Sequence, residues 1–102
     1  MPWFIKTEQF TAQTIKLSTE SRKQYINQHL SWVTNLNVEG VKAISGYLVD
    51  KDHLPGGGGL FILEADSYAK AKSIIIKDPI ILAGLVNWKL QEWVSVFGEL
   101  KI

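Results

Sequence analysis

The stretch HLPGGGGLF, residues 53–61, decides how the rest of the chain is read. Four consecutive glycines invite a phosphate-cradling reading, which would put a helix directly after them. A Walker-type loop joins a strand to a helix and ends in Gly-Lys-Ser/Thr. Here Leu60 and Phe61 follow instead, opening the apolar run LFILEAD (60–66), which has strand character. No helix N-terminus is on offer to an anion, and the dinucleotide pattern G-x-G-x-x-G fails for the same reason. The glycines then read as a flexible connection between two antiparallel strands, with Pro55 leading in and either sign of φ open to them. A second reading makes them a mobile loop over the mouth of a pocket.

Working outward, VKAISGYLVD (41–50) is the strand on the near side of that connection. Before it lies a helix. Ser18 or Thr19 caps its start, Glu20 suits the first turn, and it runs to about Glu39. Gly40 stops it as a residue able to take positive φ. Tyr25, Ile26, Leu30, Val33 and Leu36 fall at helical spacing, with Lys23, Asn27, Ser31 and Asn35 opposite. PWFIKT (2–7) reads as a first strand. After LFILEAD, Asp66 or Ser67 caps YAKAKSIIIK, in which Tyr68, Ala71, Ile74 and Ile75 share a face. LVNWKLQEWVSVF (85–97) is the last strand. The order is β-α-β-β-α-β. Two right-handed crossovers in that order give an α+β, ferredoxin-like fold with a four-stranded antiparallel sheet.

The length of 102 residues fits one domain spanning 1–102. A chain of this size buries roughly two-thirds of its unfolded surface, enough for one core. The 11 basic and 10 acidic residues are interspersed, so no basic stripe points to nucleic acid. The absence of cysteine excludes disulfides, thiolate metal sites and a thiol nucleophile. MPWFIKTEQF is not a signal peptide, and IILAGLV is too short to span a membrane. The expectation is a cytoplasmic protein with neither membrane nor nucleic acid as partner.

The strands carry apolar groups on both sides. In the last strand Val86, Trp88, Leu90 and Val94 alternate with a set that includes Leu85 and Trp93; in strand 41–50, Ile44 and Leu48 oppose Val41, Tyr47 and Val49. A sheet covered by helices on one face usually has a polar second face. A second copy packed on that face as a C2 homodimer would bury the excess.

At KDPIILAGLVNWKL (77–90) the chain resembles the YciI-like (YCII-related) proteins, small members of the dimeric α/β-barrel superfamily. QHLSWVTNL on the first helix, the glycine-bearing hairpin before LFILEA, KAISGY and the opening MPWFIK carry the same resemblance, which covers nearly the whole length. It implies a homodimer with facing sheets, a pocket in each subunit between sheet and helices, and an active site built on a histidine and an aspartate. By motif position these are His29 and Asp78. Some relatives act on ring compounds without metal or organic cofactor.

The residues themselves leave both readings open. His29 lies in a stripe with Arg22, Tyr25 and Trp32, where an imidazole is a general base near neutral pH or a half-buried core histidine. Asp78-Pro79 followed by IILA and Gly84 reads as a one-turn helix with Asp78 as its cap, which requires no chemistry. The two roles are compatible, since a carboxylate has two oxygens. Ser45 and Tyr47 share one side of their strand and offer hydroxyls to a substrate; Arg22 offers a charge. His53 belongs to the connection before Pro55 and is expected in solvent. The two histidines share no ligand spacing, so no metal is expected. The four tryptophans read as core and interface anchors.

Together these features suggest a small cofactor-independent enzyme performing elimination or isomerisation on an organic, ring-shaped substrate. The alternatives are a non-catalytic dimeric module for a small ligand or protein partner, and a cofactor-free monooxygenase-like protein.

Overall fold

In the computed structural model, which describes residues 1–102, the alternating segment WFIKTEQF forms β1 (Trp3–Phe10), which ends three residues beyond the stretch PWFIKT. A four-residue turn of helix follows, α1 (Ala12–Ile15). The long helix α2 (Thr19–Val38) begins as expected: Ser18 Oγ accepts the Ser21 amide at 3.1 Å and Glu20 sits in the first turn. It ends at Val38, with Glu39 as its C-cap and Gly40, whose φ is 93°, turning the chain away. Then come β2 (Ala43–Val49), β3 (Pro55–Glu64), α3 (Tyr68–Ile75), α4 (Pro79–Leu82) and β4 (Val86–Trp93). Ser67 caps α3 and Asp78 caps α4, with Pro79 in its first turn.

The sheet order is β2-β3-β1-β4 with every neighbouring pair antiparallel, the ferredoxin-like α+β arrangement. The core lies between one face of the sheet and the helices. Phe4, Phe61, Leu63, Ala71 and Ile75 are fully buried there, joined by Val33, Leu36, Ala43, Ala65 and Leu90.

Three expectations change. The glycines are not a connection: the turn is Asp50–Leu54, one step earlier. Asp50 Oδ1 accepts the amides of Asp52 and Leu54 at 2.8 and 3.0 Å, and exposed His53 takes the positive φ of 64°. Gly56–Gly59 lie within β3, with Gly58 and Gly59 opposite Gln9 and Glu8 of β1. Close approach across the sheet accounts for Gly59 and a φ of 82° for Gly57, whereas a Cβ at Gly56 would meet nothing within 4 Å. Gln9 Nε2 donates to the Gly56 carbonyl at 2.8 Å, and a Cβ on Gly59 would stand 2.8 Å from Glu8 Oε1.

The buried face of α2 is also rotated from the apolar count. Ile26 and Leu30 are 41% and 50% exposed, while His29, Val33 and Leu36 are buried. Half-buried Arg22, Tyr25 and Trp32 complete the inward stripe. A polar residue holds its centre because its ring nitrogens are satisfied there. Finally, β4 ends at Trp93 and not Phe97. Trp93 pairs with Trp3, the first residue of β1, so the chain beyond it has no partner strand.

The second face of the sheet keeps its apolar groups. Ile44 and Leu48 remain 43% and 55% exposed, beside half-buried Ile5, Leu60 and Ile62.

Candidate active site

Asp78 follows α3 and precedes a proline, which favours extended backbone at this residue; its φ and ψ are −59° and 126°. That conformation turns the carboxylate back over α4, where Oδ1 accepts the Ile80 amide at 3.1 Å. The side chain is fully buried. α2 brings His29 against it: Nδ1 stands 2.9 Å from Oδ1 and 2.8 Å from Oδ2. An ionised carboxylate only accepts, so Nδ1 carries the proton and donates. In the neutral ring Nε2 is then the acceptor, and it takes the hydroxyl of Ser45 on β2 at 2.7 Å. Ser45, His29 and Asp78 thus form one continuous chain of hydrogen bonds.

A fourth group closes the set. Lys6 on β1 is fully buried and donates from Nζ to Asp78 Oδ2 at 3.2 Å. It also stands 3.5 Å from Glu8 Oε2 and 5.3 Å from the centroid of the Phe61 ring. Phe61 stacks on Trp32 with centroids 5.5 Å apart, and the two rings flank the imidazole at 6.3 and 5.8 Å. Burial alone pushes the Asp78 carboxyl up. The His29 hydrogen bond, the charges of Lys6 and His29 and the Ile80 amide outweigh it and hold the group below its ordinary value.

Of the residues singled out in the sequence, His29, Asp78 and Ser45 come together. Arg22 and Tyr47 do not join them. Neither side chain makes a hydrogen bond; Arg22 is half-buried on the stripe of α2, and Tyr47 is 70% exposed two residues along β2 from Ser45. Lys6 and Glu8 were missed. The signal was available: period-2 alternation places them on the same side of β1 as Phe4, and Phe4 is core.

This arrangement can move a proton. Asp78 fixes the imidazole orientation and tautomer, and Nε2 reaches the sheet surface through a hydroxyl that can rotate away or relay. No three histidine, aspartate, glutamate or cysteine side chains converge as a metal site. No helix is long and apolar enough to cross a membrane. Two of the surface hollows lie away from this cluster. One is on the outer side of α2 at Asn27, Leu30, Ser31, Thr34 and Asn35; the other lies between Met1, Trp3, Lys42, Glu64 and the C-terminal residues.

The YCII-related domain model matches residues 4–93. No curated protein matches the chain. Among solved structures, a 5-chloro-2-hydroxyhydroquinone dehydrochlorinase from Burkholderia phenoliruptrix AC1100, in complex with 2,5-dihydroxybenzoquinone, superposes with a TM-score of 0.63. It shares 20% identity, covering 90% of this chain and 93% of that one. A dimeric ferredoxin-like protein from an uncultured marine organism superposes with a TM-score of 0.51 at 13% identity, covering 97% and 100%. At these identities the likeness is one of fold.

Proposed function

Because the chain belongs to the YCII-related domain family, we propose that it is a small, cofactor-independent enzyme catalysing elimination or isomerisation on an organic, ring-shaped substrate. The carrying observation is the buried chain from Asp78 through His29 to Ser45. In an elimination, Nε2 takes a proton from the substrate, the electron pair left behind forms the new π bond, and the leaving group departs as an anion. The imidazolium is stabilised by Asp78, whose own charge is secured by Lys6. In this reading Arg22, about two turns before His29 on α2, and Tyr47, two residues beyond Ser45 on β2, orient the substrate from outside the hydrogen-bonded chain, with Ser45 the hydroxyl nearest the base. The dehydrochlorinase of like fold performs a reaction of this class.

The test is chloride release from 5-chloro-2-hydroxyhydroquinone and related halogenated dihydroxyarenes. His29→Ala is expected to lower turnover about 100-fold or more, the usual size of a general-base contribution. The order serine–histidine–aspartate is also that of a nucleophilic triad, so Ser45→Ala is the second arm. Elimination lowered but retained in that variant supports proton transfer by His29 with Ser45 assisting; complete loss together with a covalent substrate adduct on the wild-type serine, read by mass spectrometry, would make Ser45 a nucleophile. Turnover unaffected by His29→Ala would remove the mechanism.

The same reading includes a homodimer covering the apolar second face of the sheet, and it treats residues 1–102 as one functional domain. Ile44 and Leu48 stand exposed where a twin sheet would lie. Sedimentation at micromolar concentration is expected to give a dimer, and Ile44→Lys a monomer. A wild-type protein that stays monomeric at millimolar concentration would reject the assembly.

A further inference from the structure

Glu8 is the one buried side chain whose oxygen is left without a hydrogen bond. Its side chain is 10% exposed, Oε2 is sealed from solvent, and neither carboxylate oxygen accepts a hydrogen bond from any protein group. Lys6 Nζ, 3.5 Å away, is an ion-pair partner only and gives its hydrogen bond to Asp78. Such an orphaned acceptor is costly and calls for an explanation. The surroundings indicate one. On the helix-covered face, Ser45, Phe61, Lys6 and Leu90 form one cross-strand rung, under His29; Tyr47, Gly59, Glu8 and Trp88 form the next. Adjacent rungs on one face are about 7 Å apart, within reach of one aromatic ring. Gly59 contributes no side chain between Tyr47 and Glu8, and the Glu8 carboxylate lies over it.

The geometry points to Glu8 as a specificity-determining residue that accepts a hydroxyl of the substrate, so that the site selects neutral hydroxylated rings and rejects anionic ones. This rests on the reading of the His29 surface as a substrate site. The charges give the direction. With His29 neutral, Glu8, Lys6 and Asp78 together leave one net negative charge in the sheet beneath the ligand, and Arg22, the cation on the helix stripe, lies about two turns from His29. An uncharged phenolic hydroxyl can donate to Oε1, the oxygen of this carboxylate that is not sealed, and so gives Glu8 the hydrogen bond it lacks, whereas a ligand carboxylate has no proton to donate and would be repelled by it.

The experiment measures binding by calorimetry with three probes: hydroquinone, 1,4-dimethoxybenzene, which has no hydroxyl, and benzoate. The wild type is expected to prefer hydroquinone over its dimethyl ether by about tenfold or more, the size of a hydrogen bond to a charged group, and to bind benzoate least. Glu8→Ala should abolish the preference, and Glu8→Gln should raise the relative affinity for benzoate. Gly59→Ala reaches the same acceptor by another route. Its Cβ would press on Glu8 Oε1 and Cγ at 2.8 and 3.0 Å, the free end of a flexible side chain. The fold should therefore stand, the charge remain, and the preference fall. A hydroxyl preference that survives in both Glu8→Ala and Gly59→Ala overturns the assignment, as does a wild type that binds none of the probes or fails to discriminate among them. The reading of the reaction fails separately. If His29→Ala leaves turnover intact while the Glu8 variants still lose hydroxyl preference, proton transfer by His29 falls and the role of Glu8 stands.

Discussion

Replacing Asp78 with Ala is expected to lower the unfolding free energy by about 3–5 kcal/mol, the usual consequence of removing one partner from a buried ion pair. Three groups lose their acceptor at once: the His29 Nδ1–H, the Lys6 ammonium and the Ile80 amide. None of them can turn to water where it stands. Acid should act on the same carboxylate. Its folded-state pKa lies below the ordinary aspartate value of 3.8, so the unfolded chain takes up the proton first as pH falls. The stabilisation is complete above the ordinary carboxylate range and is lost progressively from about pH 4 downward through the depressed folded value. Urea denaturation between pH 2.5 and 7 should show wild-type stability declining in that window, with a shallower decline in Asp78→Asn. Equal acid dependence in the two proteins would show that Asp78 is not the group responsible.

Lys6→Met is the second large effect, again about 3–5 kcal/mol. Methionine fills the volume but leaves Asp78 and Glu8 as two carboxylates with no ammonium between them. Lys6 has no exposed surface, so this is not a surface pair weakened by solvent, for which about 0–1 kcal/mol would be usual. Adding Glu8→Gln to Lys6→Met should recover part of the loss, because it removes one of the two unmatched charges. The double-mutant cycle is therefore expected to be non-additive by more than about 0.5 kcal/mol, as for residues in contact. A Lys6→Met protein as stable as the wild type would mean that the ammonium does not hold this cluster together.

What the sequence made legible was mostly local. Asp78 as a cap and Gly40 as a helix stop follow from short-range chemistry, which also narrowed the other two caps to Ser18 or Thr19 and Asp66 or Ser67, of which the structure uses Ser18 and Ser67. The strand and helix periods then led to the β-α-β-β-α-β order. The errors share a different origin. Gly56–Gly59 read as a connection because glycine is permissive locally, yet they lie inside β3, and the need for glycine at Gly59 is set by Glu8 on another strand. Ile26 and Leu30 counted toward the buried face of α2 because hydropathy ranks them above histidine. The ranking is overridden where Asp78 and Ser45 satisfy both ring nitrogens. Lys6 and Glu8 were passed over because charge usually means solvent, although their alternation with Phe4 placed them inward. The contact between positions 29 and 78 depends on the packing of α2 against α4, which spacing along the chain does not encode.

Asp78 Oδ1 is shared between an amide of α4 and the imidazole, so under the proposed mechanism this one atom serves architecture and reactivity together. A descendant that abandoned catalysis would still need the aspartate to keep its backbone satisfied, and selection would retain it as a relic. Ser45 caps no helix, and its hydroxyl bonds only to the ring. In a lineage of such proteins, the serine is the position free to drift once turnover no longer matters, and its persistence is the better sign that chemistry is still under selection.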